Sequence, residues 1–275
     1  MLFEAGGHTM TTKTIRALER GIDVLRALND STVLTLQQLH NKTGIPKATL
    51  LRILLTLENE KVVRKSLWDG CYYPLPITEP KSSLSARHAL YASLAAPHLE
   101  KLQKKLIWPS DFLVYKGYKM VALETTRRSS SLAMQQRYGV GFRVDMFSSA
   151  PGRAYLAFCS DRERESILNH YRKNPPRNSL SASILNNRLD DILAETRQQG
   201  YAVRDPFFGG DEEDISTFDD QFDAIAVPLL HDTSIFGCIN VVWVRKYNLR
   251  QTIIRDCLKP LRETAEDIAT SLAHA

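Results

Sequence analysis

TLQQLHNKTGIPKATLLRILLTLENEKVVRKSLWDGCYYPL, residues 35–75, decides the fold. It reads as helix, glycine turn, helix and short hairpin, the layout of a winged helix-turn-helix, which places one helix in the DNA major groove. Thr35 followed by Gln38 predicts a capping box at the first helix. Gly44 supplies the tight turn, and Pro46 suits the start of the second helix, where a missing N–H costs nothing. Leu50, Ile53, Leu54 and Leu57 recur at i, i+3, i+4 and i+7 and predict the buried face. Lys47, Ala48, Thr49, Leu51 and Arg52 fall elsewhere, mostly near the N-terminal end, which usually meets bases and phosphates. Arg52 is either a phosphate anchor or a reader of guanine. Asp69-Gly70 between two β-prone runs predicts a hairpin wing, from which Arg64 and Lys65 reach a phosphate backbone. Upstream, residues 14–29 place Ile15, Leu18, Ile22, Leu25 and Leu28 on one helical face, the third side of a three-helix core.

Composition sets wide bounds. A chain of 275 residues accommodates two domains, and 43% hydrophobic with 24% charged residues is ordinary for a globular protein. The net charge of +5 permits nucleic-acid binding without demanding it. Cys71, Cys159, Cys238 and Cys257 are far apart and form no metal or disulfide pattern, as suits a reducing cytoplasm. The longest apolar stretch, residues 235–244, is about half of what a membrane span needs. Residues 1–10 lack a signal-peptide pattern and read as a frayed tail, with Met10 an alternative start.

Proline-rich residues 76–86 mark a boundary. The expected division is a DNA-binding domain at 11–77, a linker helix at 78–106 and a second domain at 107–275. The helix at 85–106 carries Leu90, Leu94, Leu99, Leu102 and Leu106, with Pro97 expected to bend or split it. It is read as a dimerisation spacer or as a core helix of the second domain. Strands are expected at 111–115, 120–126, 131–137, 201–204, 224–230 and 235–244. Helices are expected at 150–159, 161–171, 185–200 and 250–272. The result is an α/β domain with a mostly antiparallel sheet, resembling GAF- or PAS-like sensors.

No G-x-S-x-G, H-E-x-x-H or Walker A motif is present, so no enzyme class is indicated. Gly139-Val140-Gly141 carries no meaning alone. The run 209–213 (GGDEE) superficially resembles a nucleotide-cyclase signature but lacks its surroundings. With Asp214, Asp219, Asp220 and Asp223 it reads as a flexible, solvated acidic loop rather than a cation site. No metal or cofactor is expected.

The chain resembles IclR-type transcriptional regulators over nearly its whole length. Residues 44–58 (GIPKATLLRILLTLE) follow that family's recognition helix, and Tyr73-Pro74-Leu75 its wing exit. Residues 149–157 (SAPGRAYLA), 224–229 (AIAVPL) and 237–241 (GCINV) follow segments of its effector domain. Within the family, residues 108–111 (WPSD), 124–126 (ETT) and 156–159 (LAFC) resemble regulators of hydroxyphenylpropionate catabolism. Lys61 departs from the pattern, where glycine is common, and residues 205–223 are longer and more acidic than usual.

The resemblance implies a winged helix-turn-helix joined by a linker helix to a GAF-like effector-binding domain. It implies a dimer or dimer of dimers on a palindromic double-stranded operator, more often a repressor of a catabolic operon, with no enzymatic activity. The alternatives are an activator of an aromatic-acid operon, or a sensing or catalytic protein that does not bind DNA. Thr35 joins the DNA-contacting set named above. The implied effector positions are Phe147, Ala150, Pro151, Asp205, Ala224, Cys238, Asn240, Val242 and Trp243, arranged for a short-chain acid or aldehyde or an aromatic acid. Pro151 lacks the N–H that family members present to a bound acid. Asn240 is expected to donate to the ligand, and Phe147, Cys238 and Trp243 to add apolar wall.

Overall fold

The computed structural model describes residues 14–75, 84–128, 138–210 and 216–274. The chain divides into two compact units, Met1–Lys65 with Cys71–Glu79, and Ser66–Gly70 with Pro80–Ala275.

The first unit is built from α1 (Arg16–Ser31), α2 (Leu36–Thr43), α3 (Lys47–Asn59), β1 (Val63–Lys65) and β2 (Tyr72–Pro74). Thr35 and Gln38 close the capping box from both sides, so two orphan N–H groups of α2 are satisfied locally. Gly44 ends α2 in the left-handed region at φ 68°, which glycine enters without a Cβ penalty. Leu50 and Leu54 of α3 are buried and Ile53 and Leu57 half-buried, as the spacing predicts. Helix α1 follows expectation in part, with Leu28 buried and Leu25 half-buried against the core. Its buried residues are Val24, Ala27 and Leu28, whereas Ile15, Leu18 and Ile22 are 67%, 60% and 39% exposed. A second apolar stripe lies a third of a turn away, and packing against α2 and α3 selects it. Strands β1 and β2 pair antiparallel, Val63 opposite Pro74 and Lys65 opposite Tyr72. Lys61, the departure from the family's glycine, holds a left-handed φ of 54° just before the wing. A glycine would adopt that conformation freely, which accounts for the family preference.

The second unit is a six-stranded sheet in the order β5-β4-β3-β8-β7-β6, antiparallel throughout. Its strands are β3 (Ser110–Lys116), β4 (Lys119–Thr125), β5 (Arg143–Val144), β6 (Ala202–Val203), β7 (Phe222–His231) and β8 (Ser234–Val244). The β3–β4 hairpin turns through Gly117 and Tyr118, both at positive φ (58° and 62°), the pair that a two-residue hairpin turn demands. The strand expected at 131–137 lies outside the described residues.

Helices cover both faces. On one side lie α4 (Leu84–Gln103) and α9 (Arg250–Ala273). They pack with Ile225, Val227, Leu229, Ile239, Val241 and Trp243. Ala95, Leu99 and Leu102 of α4 are buried in this core. The helix is thus a core element of the second unit, with Leu90 and Leu94 half-buried. Pro97 sits inside a single continuous α4 rather than splitting it. On the other face lie α5 (Ala150–Phe158), α6 (Asp161–Lys173), α7 (Ser179–Asn187) and α8 (Leu189–Gln199). The single helix expected at 185–200 is two helices with a break at Arg188, whose φ is −135°. Among the described residues, no helix is long and apolar enough to cross a membrane.

Helix α5 is buried along almost its whole length, which requires a close approach. A Cβ on Gly152 would lie 2.4 Å from the Asp145 carbonyl oxygen and 2.5 Å from Met146 Cα. Those are backbone atoms and cannot swing aside. Gly152→Ala is therefore expected to destabilise this unit by about 1–3 kcal/mol or more, seen as a lowered urea midpoint. An unchanged midpoint would mean that α5 can shift freely.

Candidate functional site

Two surfaces carry the chemistry, one on each unit. On α3 the core face and the outer face are cleanly divided. Lys47, Ala48, Leu51, Arg52 and Leu55 are all exposed, and their spacing places them on one side of a helix. Leu51 and Leu55 are 48% and 58% exposed. Such a stripe offers cations for phosphates and apolar contact for thymine methyl groups. Thr49 is half-buried at its edge. The Thr35 hydroxyl accepts from Gln38 N at 3.2 Å in the cap. Lys65 on the wing is exposed. Arg64, expected to reach a phosphate, is instead buried at 8% exposure, with its guanidinium 4.4 Å over the Tyr73 ring. Val63 and Arg64 are both buried, so burial in β1 does not alternate.

In the second unit a cavity of about 40 Å3 opens between the start of α5 and the sheet. Five of the expected effector positions line it: Ala150, Pro151, Ala224, Asn240 and Val242. The side chain of Ser149 caps α5, accepting from Gly152 N at 3.0 Å, so the helix directs its positive end to the cavity rim.

The other four expected positions are elsewhere. Trp243 belongs to the core under α4 and α9, because successive strand residues face opposite sides and Val242 takes the cavity side. Phe147 is fully buried and packs edge-on against Tyr171, ring centroids 4.8 Å apart. The Cys238 thiol donates to the Pro151 carbonyl at 3.4 Å behind the cavity wall. Burial pushes the Cys238 thiol well above its usual range and that of Cys159 up to about 12, so both stay protonated as packing groups. Asp205 accepts from Arg153 at 2.7 Å and Arg188 at 3.3 Å. Burial lowers the Arg153 pKa, and the bond to Asp205 acts against that shift.

Asn240 lines the cavity but its amide is already engaged. Its Oδ1 accepts from Asp111 N at 2.8 Å and its Nδ2 donates to Asp111 Oδ2 at 3.1 Å. It therefore orients Asp111 through one amide N–H, and Nδ2 carries a second. Asp111 in turn holds Arg127, which donates through Nε at 3.0 Å and Nη2 at 2.8 Å. Thr125 Oγ1 adds a fourth donor to the Asp111 carboxylate at 2.6 Å. A second buried pair faces the same cavity. Arg204 donates through Nη1 at 3.0 Å and Nη2 at 2.6 Å to Asp220, and through Nη2 at 2.6 Å to the Phe208 carbonyl.

These pairs also correct the reading at Asp219, Asp220 and Asp223. Asp219 is bonded to Arg245, Asp220 to Arg204 and Asp223 to Arg250, so these carboxylates are tied to the domain and not a solvated run. Asp211, Glu212, Glu213 and Asp214 lie outside the described residues. No group of three or more potential metal ligands is found among the described residues. The two arginines of the cavity were absent from the expected site. Each pairs with an acid 16 residues away, and such pairing leaves no local pattern to read.

Residues 17–66 match the IclR helix-turn-helix domain, and residues 85–270 match the bacterial transcriptional regulator IclR C-terminal domain. The acetate operon repressor of Salmonella typhimurium is 24% identical over 197 residues, 70% of each chain. An IclR family transcriptional regulator from Brucella abortus has a similar fold, with TM-score 0.51 and 23% identity over 98% of this chain and 96% of that one. So does an IclR homolog from Microbacterium hydrocarbonoxydans solved with 4-hydroxybenzoate, with TM-score 0.51 and 20% identity over 94% and 100%. With the two domain matches covering most of its length, the chain belongs to the IclR family of bacterial transcriptional regulators.

Proposed function

We propose that the protein represses a catabolic operon by binding a palindromic operator, and that a small acid entering the cavity of the second unit changes its affinity for DNA. The observation that carries the reading is the outer face of α3. Lys47, Ala48, Leu51 and Arg52 are exposed together, opposite the buried Leu50 and Leu54. The Salmonella relative is named as a repressor, which supports the sign of the output. The 4-hydroxybenzoate in the Microbacterium structure supports an acid as the effector class. One recognition helix makes too few contacts for tight specific binding, so two copies on related half-sites are required. The assembly is a homodimer or dimer of dimers, acting on DNA in the cytoplasm. The effector acts only by binding the DNA-competent and DNA-released states unequally.

Arg52→Ala tests the interface. If Arg52 reads a base, operator affinity falls by about 1–3 kcal/mol and selectivity at one position relaxes. If it neutralises phosphate, affinity falls evenly across sequences and the salt slope shrinks by about one unit. Fluorescence anisotropy at several salt concentrations separates these outcomes. Unchanged affinity and slope would remove Arg52 from the interface.

A further inference from the structure

The turn of the wing is not built like a free loop tip, which is usually small, polar and exposed. Residues 66–70 (SLWDG) carry a leucine and a tryptophan, and they belong to the second unit. Their contacts are internal to that unit. Ser66 is 2% exposed, and its Oγ donates to Glu124 Oε1 at 3.5 Å. Leu67 packs with the core under α4 and α9. The Trp68 indole lies against the bare backbone of Gly139, where a Cβ would fall 2.4 Å from Cε2 and 2.7 Å from Nε1. Arg128 Nη1 donates to the Trp68 carbonyl at 3.5 Å. Within the turn, Gly70 N donates to the Ser66 carbonyl at 3.0 Å and Trp68 N to Ser66 Oγ at 3.2 Å. From this anchored turn the chain leads directly into β1 on one side and β2 on the other.

The anchor points adjoin the cavity. Gly139 lies between Tyr138 and Phe142, which line it and whose rings meet edge-on with centroids 4.5 Å apart. Phe142 N donates to the Gly139 carbonyl at 3.1 Å, and the Phe142 carbonyl accepts from Ala122 N at 2.9 Å. Ala122 also lines the cavity, on the strand β4 that carries Glu124. No side chain separates the indole from Gly139, so a shift of 138–142 reaches Trp68 undamped, as close packing transmits strain. Strands β1 and β2 have three residues each, and so short a hairpin has little stability of its own. Its order therefore depends on the anchored turn.

We propose that Trp68 is a positioning residue that couples the wing's contact with DNA to the 138–142 wall of the cavity. This rests on the reading of α3 and the wing as the DNA-contacting surface. Coupling free energy is reciprocal, so DNA on the wing is felt at 138–142 with no effector present.

Hydrogen exchange of the full chain, with and without a duplex that the wild type enriches from a random library, tests it. In the wild type the duplex is expected to change exchange at 138–142 by about threefold or more. In Trp68→Ala that change is expected to vanish while the duplex still protects α3. Trp68→Phe keeps a ring on Gly139 and is expected to keep the response. Gly139→Ala drives a Cβ into the indole and is expected to weaken the duplex by about fivefold or more. Adding Trp68→Ala to it removes the collision and is expected to restore the melting temperature but not the affinity. Exchange at 138–142 that the duplex leaves unchanged in the wild type, or changes equally in Trp68→Ala, overturns the coupling. Recovery of affinity together with melting in the double variant overturns it too, by assigning the loss to the collision alone. A wild type that enriches no duplex defeats the DNA reading itself.

Discussion

Asp111→Ala is expected to destabilise the second unit by about 3–5 kcal/mol, because it strands a buried cation. Asp111 is 5% exposed and accepts bonds from Arg127, Thr125 and Asn240. Without it the Arg127 guanidinium keeps two ring faces, Tyr138 at 5.2 Å and Phe222 at 5.8 Å, but no carboxylate. For a domain of this size each kcal/mol moves the melting temperature by about 2–4 °C, so a fall of roughly 6–20 °C is predicted by scanning calorimetry. Replacing both partners, Asp111→Leu with Arg127→Met, removes charge and counter-charge together and is expected to cost far less. If the single and double variants melt alike, the penalty comes from lost packing and not from the uncompensated charge.

Leu54→Ala is the second large effect. Leu54 is 1% exposed and sits with Leu50, Val24, Leu28 and Leu39 in the core of the first unit. Truncating a buried leucine costs about 2–5 kcal/mol through lost transfer energy and the cavity left behind. A unit of roughly 70 residues has a total margin of only about 4–10 kcal/mol. Leu54→Ala is therefore expected to unfold a measurable share of the DNA-binding unit at 37 °C and to lose DNA binding with it. Leu55→Ala, one residue on but 58% exposed, is expected to leave the melting temperature nearly unchanged. Equal melting of the two variants would contradict the assignment of faces on α3.

The winged helix-turn-helix was legible because its signals are local. The cap at Thr35, the left-handed Gly44 and the Asp69-Gly70 turn each act within a few residues. Strand alternation in β8 also requires Trp243 to face away from Val242, into the core under α4 and α9. On α1, periodicity places Leu25 and Leu28 correctly, but only packing distinguishes Leu18 and Ile22 from Val24 and Ala27. The break at Arg188 carries no proline or glycine to announce it. Of the cavity, the backbone and small-residue positions came from family resemblance at Ala150, Pro151 and Ala224. The Arg127–Asp111 and Arg204–Asp220 pairs were invisible because ion pairing across a fold has no spacing rule. For the same reason the bonds between Asn240 and Asp111 leave no mark in the sequence.

The most direct test is selection of bound sequences from a random duplex library by the full chain, run beside Lys47→Ala with Arg52→Ala. The wild type is predicted to enrich an inverted repeat whose half-sites lie about one helical turn apart or a multiple of it, and the variant to lose or blur that motif while still melting at the wild-type temperature. No enriched motif with the wild type, or the same motif at the same strength with the variant, would contradict a DNA-reading role for α3.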